Sequence, residues 1–201
     1  MQSLFDFIVE PVNKRYDNEI KVGDKTLITN SRIESFKNVS NQAIVLEVPK
    51  AFKTKIKKGD IVIIHHNVFR RFYDIRGNQK DSRSKFTDNK FFCAVDQVYL
   101  YKRDGEWNAF GDRCFINPII DSDVLTADKE RKLIGILKYG NSSLEALEIN
   151  PGDLVGYTPF GEFEFFIDNE RLYCMKSNDI VIKYDKQGDE VKYNPSWAKS
   201  S

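Results

Sequence analysis

The chain reads as an all-β protein built from two small tandem β-barrels. Three observations predict this. Its apolar stretches are short, rich in Val, Ile, Phe and Tyr, and bounded by Gly, Pro, Asn and Asp, as strands are. A set of landmarks recurs in the same order in the two halves, the signature of a duplicated unit. Helix-like composition is confined to 127–132, too short to stand without support. Many short strands in two copies suit small closed or nearly closed barrels.

In chain order, the first copy offers strands at 7–12, 42–48, 60–65, 91–94 and 97–102. The second offers 113–119, 133–139, 153–158, 162–166, 171–175 and 179–184. Pro11 matches Pro118, Leu46 matches Leu137, Gly59-Asp60 matches Gly152-Asp153, and Asp96 matches Asp179. The separations are 107, 91, 93 and 83, so the loops differ in length. The first copy carries 16 extra residues between its first two landmarks and 10 between its last two. Ile167-Asp168-Asn169-Glu170 reads as a hairpin turn, because Asp and Asn tolerate tight-turn backbones. The polar, Gly-containing stretch Arg103-Asp104-Gly105-Glu106 marks the boundary. The domains are therefore 1–103, with a long loop and a long hairpin insertion, 104–186, and a polar tail 187–201 in which Tyr193 and Trp197 are the residues able to dock.

Composition bounds the function. The 201 residues hold 31 Lys and Arg against 30 Asp and Glu, so no global field draws in nucleic acid or an anionic membrane. No apolar run approaches the roughly 20 residues of a membrane helix. Met1-Gln2-Ser3-Leu4-Phe5-Asp6 lacks a signal-peptide pattern. Cys93, Cys114 and Cys174 are an odd set without metal-type spacing, which suits buried, reduced thiols and a cytoplasmic location.

No enzymatic constellation emerges. His65 and His66 are adjacent on an expected strand and would face opposite ways, which does not suit one shared metal. Cys93 lacks a nucleophile turn and a third partner. Phosphate loops and dinucleotide fingerprints are absent. The segment 66–90 reads as a long hairpin or ordered loop, either a solvated connection or a contact surface. Within it Phe69-Arg70-Arg71-Phe72-Tyr73, with Arg76, Lys80, Arg83 and Lys85, interleaves aromatic and basic residues. That pattern leaves a nucleic-acid-binding β-barrel as the alternative, although Asp74, Asp81 and Asp88 dilute the charge. A structural adaptor built on tandem barrels is a further alternative.

Gly152-Asp153-Leu154-Val155, Ile167-Asp168-Asn169-Glu170-Arg171-Leu172 and Ser177-Asn178-Asp179-Ile180-Val181 resemble the C-terminal half of GroES-type co-chaperonins. Asp112-Arg113-Cys114-Phe115-Ile116-Asn117-Pro118 resembles that family's opening strand. Gly59-Asp60-Ile61-Val62-Ile63 and Asp96-Gln97-Val98 match more loosely. The resemblance runs from about 5 to 184 and implies a divergent tandem form; chloroplasts have tandem members of the family and tailed phages encode divergent ones, so a phage origin is one reading. The family docks on its chaperonin through a mobile loop with a short apolar motif. Its counterpart here is Lys25-Thr26-Leu27-Ile28-Thr29-Asn30-Ser31, where Thr26 departs from the apolar pattern. The resemblance thus implies chaperonin contact through Thr26, Leu27 and Ile28, with Gly23 as a hinge. The same stretch also reads as a short edge strand. In the second copy Val124 and Leu125 mark a possible second loop, or else a helical turn packed on the barrel. Implied partners are a GroEL-type chaperonin, an unfolded client and other copies in a ring. ATP or ADP would belong to the chaperonin, so this chain needs no cofactor of its own.

Overall fold

A computed structural model describes residues 2–16, 19–23, 25–28, 39–121, 130–186 and 188–195, with the backbone alone for 19–21 and 25–28. The protein is all-β. It divides into two compact units, Met1–Glu106 and Trp107–Ser201. In the first unit the strands are β1 (Phe7–Pro11), β2 (Glu19–Val22), β3 (Lys25–Ile28), β4 (Gln42–Glu47), β5 (Ile61–Ile64), β6 (Arg71–Tyr73), β7 (Gln79–Asp81), β8 (Lys85–Thr87), β9 (Lys90–Cys93) and β10 (Val98–Arg103). β11 (Glu106–Ala109) spans the division. The second unit holds β12 (Arg113–Ile120), β13 (Glu130–Tyr139), the short helix α1 (Ser142–Glu145), β14 (Leu154–Tyr157), β15 (Phe163–Ile167), β16 (Glu170–Lys176) and β17 (Ile180–Tyr184).

The two units repeat one ladder. The first sheet is ordered β11-β10-β5-β4-β1-β9-β8, and without its edge strand β11 it matches the second, β17-β14-β13-β12-β16-β15. Registers match pair for pair. Val9 lies opposite Val45, and Ile116 opposite Leu137. Ile44 lies opposite Ile61, and Ile136 opposite Leu154. Even an irregularity recurs: Tyr99 is skipped between β10 and β5, and Val181 between β17 and β14. These registers correct two of the sequence landmarks by one residue. Val45, not Leu46, is the counterpart of Leu137, and Gln97, not Asp96, is that of Asp179. Gln97 Oε1 accepts from the Ala94 N–H at 3.0 Å, and Asp179 Oδ2 accepts from the Lys176 N–H at 3.0 Å. Each closes a short 3₁₀ turn before the last strand.

Equivalent positions fill both cores. Phe7, Val9, Val45, Val62, Ile64, Phe91 and Cys93 are buried in the first unit. Cys114, Ile116, Leu137, Val155, Tyr157, Tyr173 and Met175 take their places in the second, joined by Leu144 of α1 and by Ile149. The period-two alternation of the strands puts each set on one face. The ladders leave both sheets open, so closed barrels do not follow from the hydrogen bonding.

Three further expectations change. Residues 130–132 belong to β13, which pairs with β12 at Glu130 and again from Gly135, so strand formation overrides their helical composition; 127–129 lie outside the described residues. The strand expected at 60–65 ends at Ile64, and His65 instead caps a 3₁₀ turn at His66–Val68. The tail is not loose throughout: the Ile120 N–H donates to the Val191 carbonyl at 2.8 Å and the Tyr193 N–H to the Pro118 carbonyl at 2.7 Å, extending β12's pairing. Trp197 lies outside the described residues.

Candidate functional site

The longest excursion from the repeated ladder joins β1 to β4. Its two ends are pinned together by an antiparallel bridge between Tyr16 and Val39, both buried, and by a 3.1 Å bond from the Ser40 N–H to the Arg15 carbonyl. Between these pins the chain forms a separate two-stranded sheet, β2 with β3. Thr26 lies opposite Lys21, Leu27 opposite Ile20 and Ile28 opposite Glu19. The three expected contact residues are thus brought together on one short strand, as the edge-strand reading requires. An extended segment is also the form in which a peptide adds to a groove or sheet edge. Gly23 sits at the turn of this hairpin, with φ of 62°, rather than at its base. A left-handed backbone there favours glycine. In the second unit the corresponding connection runs from β12 to β13. Val124 and Leu125 fall in it and lie outside the described residues.

The base of the excursion is tied to the first unit's insertion. Arg15 is the clamp. Its Nη1 meets Asp81 Oδ1 at 2.7 Å, its Nη2 donates to the Arg70 carbonyl at 3.3 Å, and its Nε donates to the Phe69 carbonyl. The same guanidinium lies 5.0 Å from the Phe91 ring centre. The Tyr16 hydroxyl accepts from the Arg71 N–H at 2.6 Å, and the Arg71 guanidinium covers the Tyr16 ring. These bonds hold the antiparallel hairpin of β6 and β7, which stands outside the main ladder. Asp74 shapes its turn by accepting from the Arg76 and Asn78 N–H groups, both at 2.9 Å, and these bonds hold its carboxyl below the ordinary range. β14 and β15 of the second unit are joined by five residues and carry no such hairpin.

The second unit has its own arginine clamp, which sequence reading missed. Arg171 is nearly buried and donates to Glu164 Oε1 and Glu130 Oε2, both at 2.6 Å, and to the Tyr173 hydroxyl at 2.6 Å. Tyr173 donates in turn to Glu130 at 2.9 Å. Tyr173 occupies the place of Phe91, so each unit sets a guanidinium against the same core aromatic. The tail joins this cluster through the Tyr193 ring, 5.5 Å from the Arg171 guanidinium. The only signal in the sequence was an Arg between two strand-forming runs, which does not name its partners.

The cysteines and histidines are held by burial and packing. Burial raises all three thiols, Cys114 to about 12 and the others further, so none is a ready thiolate. Because His65 caps a 3₁₀ turn instead of ending a strand, the His65 and His66 rings do not face opposite ways but stack with centroids 4.4 Å apart, and His65 Nδ1 accepts from the Asn67 N–H at 3.1 Å. Burial first, then His65 and Arg70, push His66 down to about 4. Among the described residues no group of His, Cys, Asp and Glu is placed to hold a metal, and no helix is long and apolar enough to cross a membrane. No family model matches the chain, and no curated protein sequence matches it significantly.

Proposed function

We propose that this chain is a co-chaperonin made of two GroES-like units that caps a GroEL-type chaperonin ring in a nucleotide-dependent way and assists folding of a client. The observation that carries this reading is the strand-for-strand repeat, with its longest connection at the point where the resembling family bears its docking loop. In this reading the units complete small barrels, copies assemble into a ring, and the work is done in the cytoplasm of a cell or of a phage host. No catalysis is assigned to the chain. Thr26, Leu27 and Ile28 form the contact.

The energetics suit reversible capping. Each fully buried aliphatic side chain contributes about 1.5–3 kcal/mol. Ordering the segment offsets much of that, so one loop binds weakly. Several loops presented together bind tightly, because later contacts are intramolecular. Native mass spectrometry of the protein with a bacterial chaperonin, with and without ATP, tests the reading. A complex that forms with nucleotide alone is expected, and its mass gives the stoichiometry. Absence of any complex with GroEL and with the source host's own chaperonin overturns it.

A further inference from the structure

The near-zero net charge conceals a division. Residues 1–106 carry 20 Lys and Arg against 14 Asp and Glu, whereas residues 107–201 carry 11 against 16. The units are therefore at +6 and −5. Much of the excess lies at 70–90, with seven basic and three acidic residues. Two of those acids are engaged locally: Asp81 with Arg15 and Lys85, and Asp74 with the hairpin turn.

The tip of the β6–β7 hairpin is also apolar. Ile75 is fully exposed, and Phe72 and Tyr73 are exposed to 42% and 40%. Arg76 beside Ile75 has no ion pair among the described residues. An exposed patch of aromatic and aliphatic side chains flanked by arginines has the composition of a protein interface. Phe72 and Tyr73 offer stacking faces, but the fully exposed residue of the turn, Ile75, is aliphatic, and a unit at −5 in the same chain repels a polyanion, which favours a protein partner.

The second unit displays the complement. Leu147, just past α1, is 69% exposed and lies between the exposed Glu145 and Glu148. Neither carboxylate has an ion pair among the described residues, whereas Glu164, next to the exposed Phe163, is paired with Arg171. We infer that the β6–β7 hairpin of one copy docks, through Ile75 and Arg76, on the Glu145, Leu147, Glu148 patch of a second copy. The contact joins two different surfaces, so it builds a reciprocal pair, a ring or an open chain. It stands whether or not the chain binds a chaperonin.

Sedimentation equilibrium of the full chain tests it, over a concentration series at about 50 mM and about 500 mM salt, where screening of exposed charges differs. The expected result is concentration-dependent association that weakens at high salt. Ile75→Ser with Arg76→Glu, and separately Glu145→Lys with Glu148→Lys, should each weaken it at least tenfold with unchanged circular dichroism. An equimolar mixture of Arg76→Glu with Glu145→Lys/Glu148→Lys chains should associate more tightly than either alone, because the swapped charges attract. A chain monomeric at every concentration, variants that associate like the parent, or a mixture no tighter than its components each overturn the inference. So does binding of a single-stranded oligonucleotide that Arg76→Glu abolishes while self-association is unchanged.

Discussion

Asp60 and Asp153 show why one dipeptide could be found twice in a divergent repeat. Each follows a glycine at positive φ, 90° at Gly59 and 97° at Gly152. Each accepts from a backbone N–H three residues earlier at 2.8 Å, from Lys57 and from Asn150. The glycine N–H then bonds to Val45 or Leu137, delivering the next strand in register. Glycine supplies the backbone and aspartate the cap, and neither role passes easily to another residue. Gly152→Ala should cost about 1 kcal/mol in urea unfolding at neutral pH, and Asp153→Ala a similar amount. His66 carries no such signature, and its environment was not legible. It is held well below its ordinary value, so folding favours the neutral ring. The stability it contributes is full above the unfolded value near 6.5 and is lost as pH falls towards about 4. Carboxylates lose stability at the low end of the same window, so the test is a difference. The parent should lose roughly 1 kcal/mol more than His66→Gln between pH 7 and pH 4.5, after allowance for solvent access.

At the scale of elements, strands were legible where pairing and composition agree, and were misjudged where they compete. Residues 130–132 look helical, but they lie in β13, which pairs with β12 at Glu130 and again from Gly135. α1 is a single turn, set by Asn141 Oδ1 accepting from the Ser143 and Leu144 N–H groups at 3.1 and 3.3 Å, which leaves no periodicity to read. The one-residue slips at Leu46 and Asp96 came from matching residue types, whereas the ladder matches positions. The clamps illustrate a further limit, since a buried guanidinium's partners are distant in sequence. Arg15 reaches Asp81 and Arg171 reaches Glu130. Arg15→Met should release the β6–β7 hairpin, raising amide exchange across 71–81 while β4 and β5 stay protected. Arg171→Met should cost about 3 kcal/mol in global stability, because it takes the shared guanidinium from Glu130 and Glu164 and leaves Glu130 with the Tyr173 hydroxyl.

At the scale of the whole molecule, duplication need not give two equal docking arms. In the first unit the pinned pair Tyr16 and Val39 leaves 22 residues, 17–38, to go out and return. In the second, Ile120 lies opposite Glu130, leaving nine, 121–129. The turn of the first excursion, at Gly23, lies seven residues past Tyr16, so at about 3.3 Å per extended residue its tip can reach about 23 Å, against about 15 Å for the second. Under the co-chaperonin reading the first arm therefore makes the contact, and the second sets spacing within the assembly. Leu27→Asp with Ile28→Asp should weaken nucleotide-dependent chaperonin binding at least a hundredfold, since the loss at each arm multiplies across an assembly. Val124→Asp with Leu125→Asp should change it by less than about threefold. Titration of a chaperonin's ATPase with each variant measures both. Equal losses from the two pairs would show that both arms dock, and no loss from the first would remove Leu27 and Ile28 from the contact.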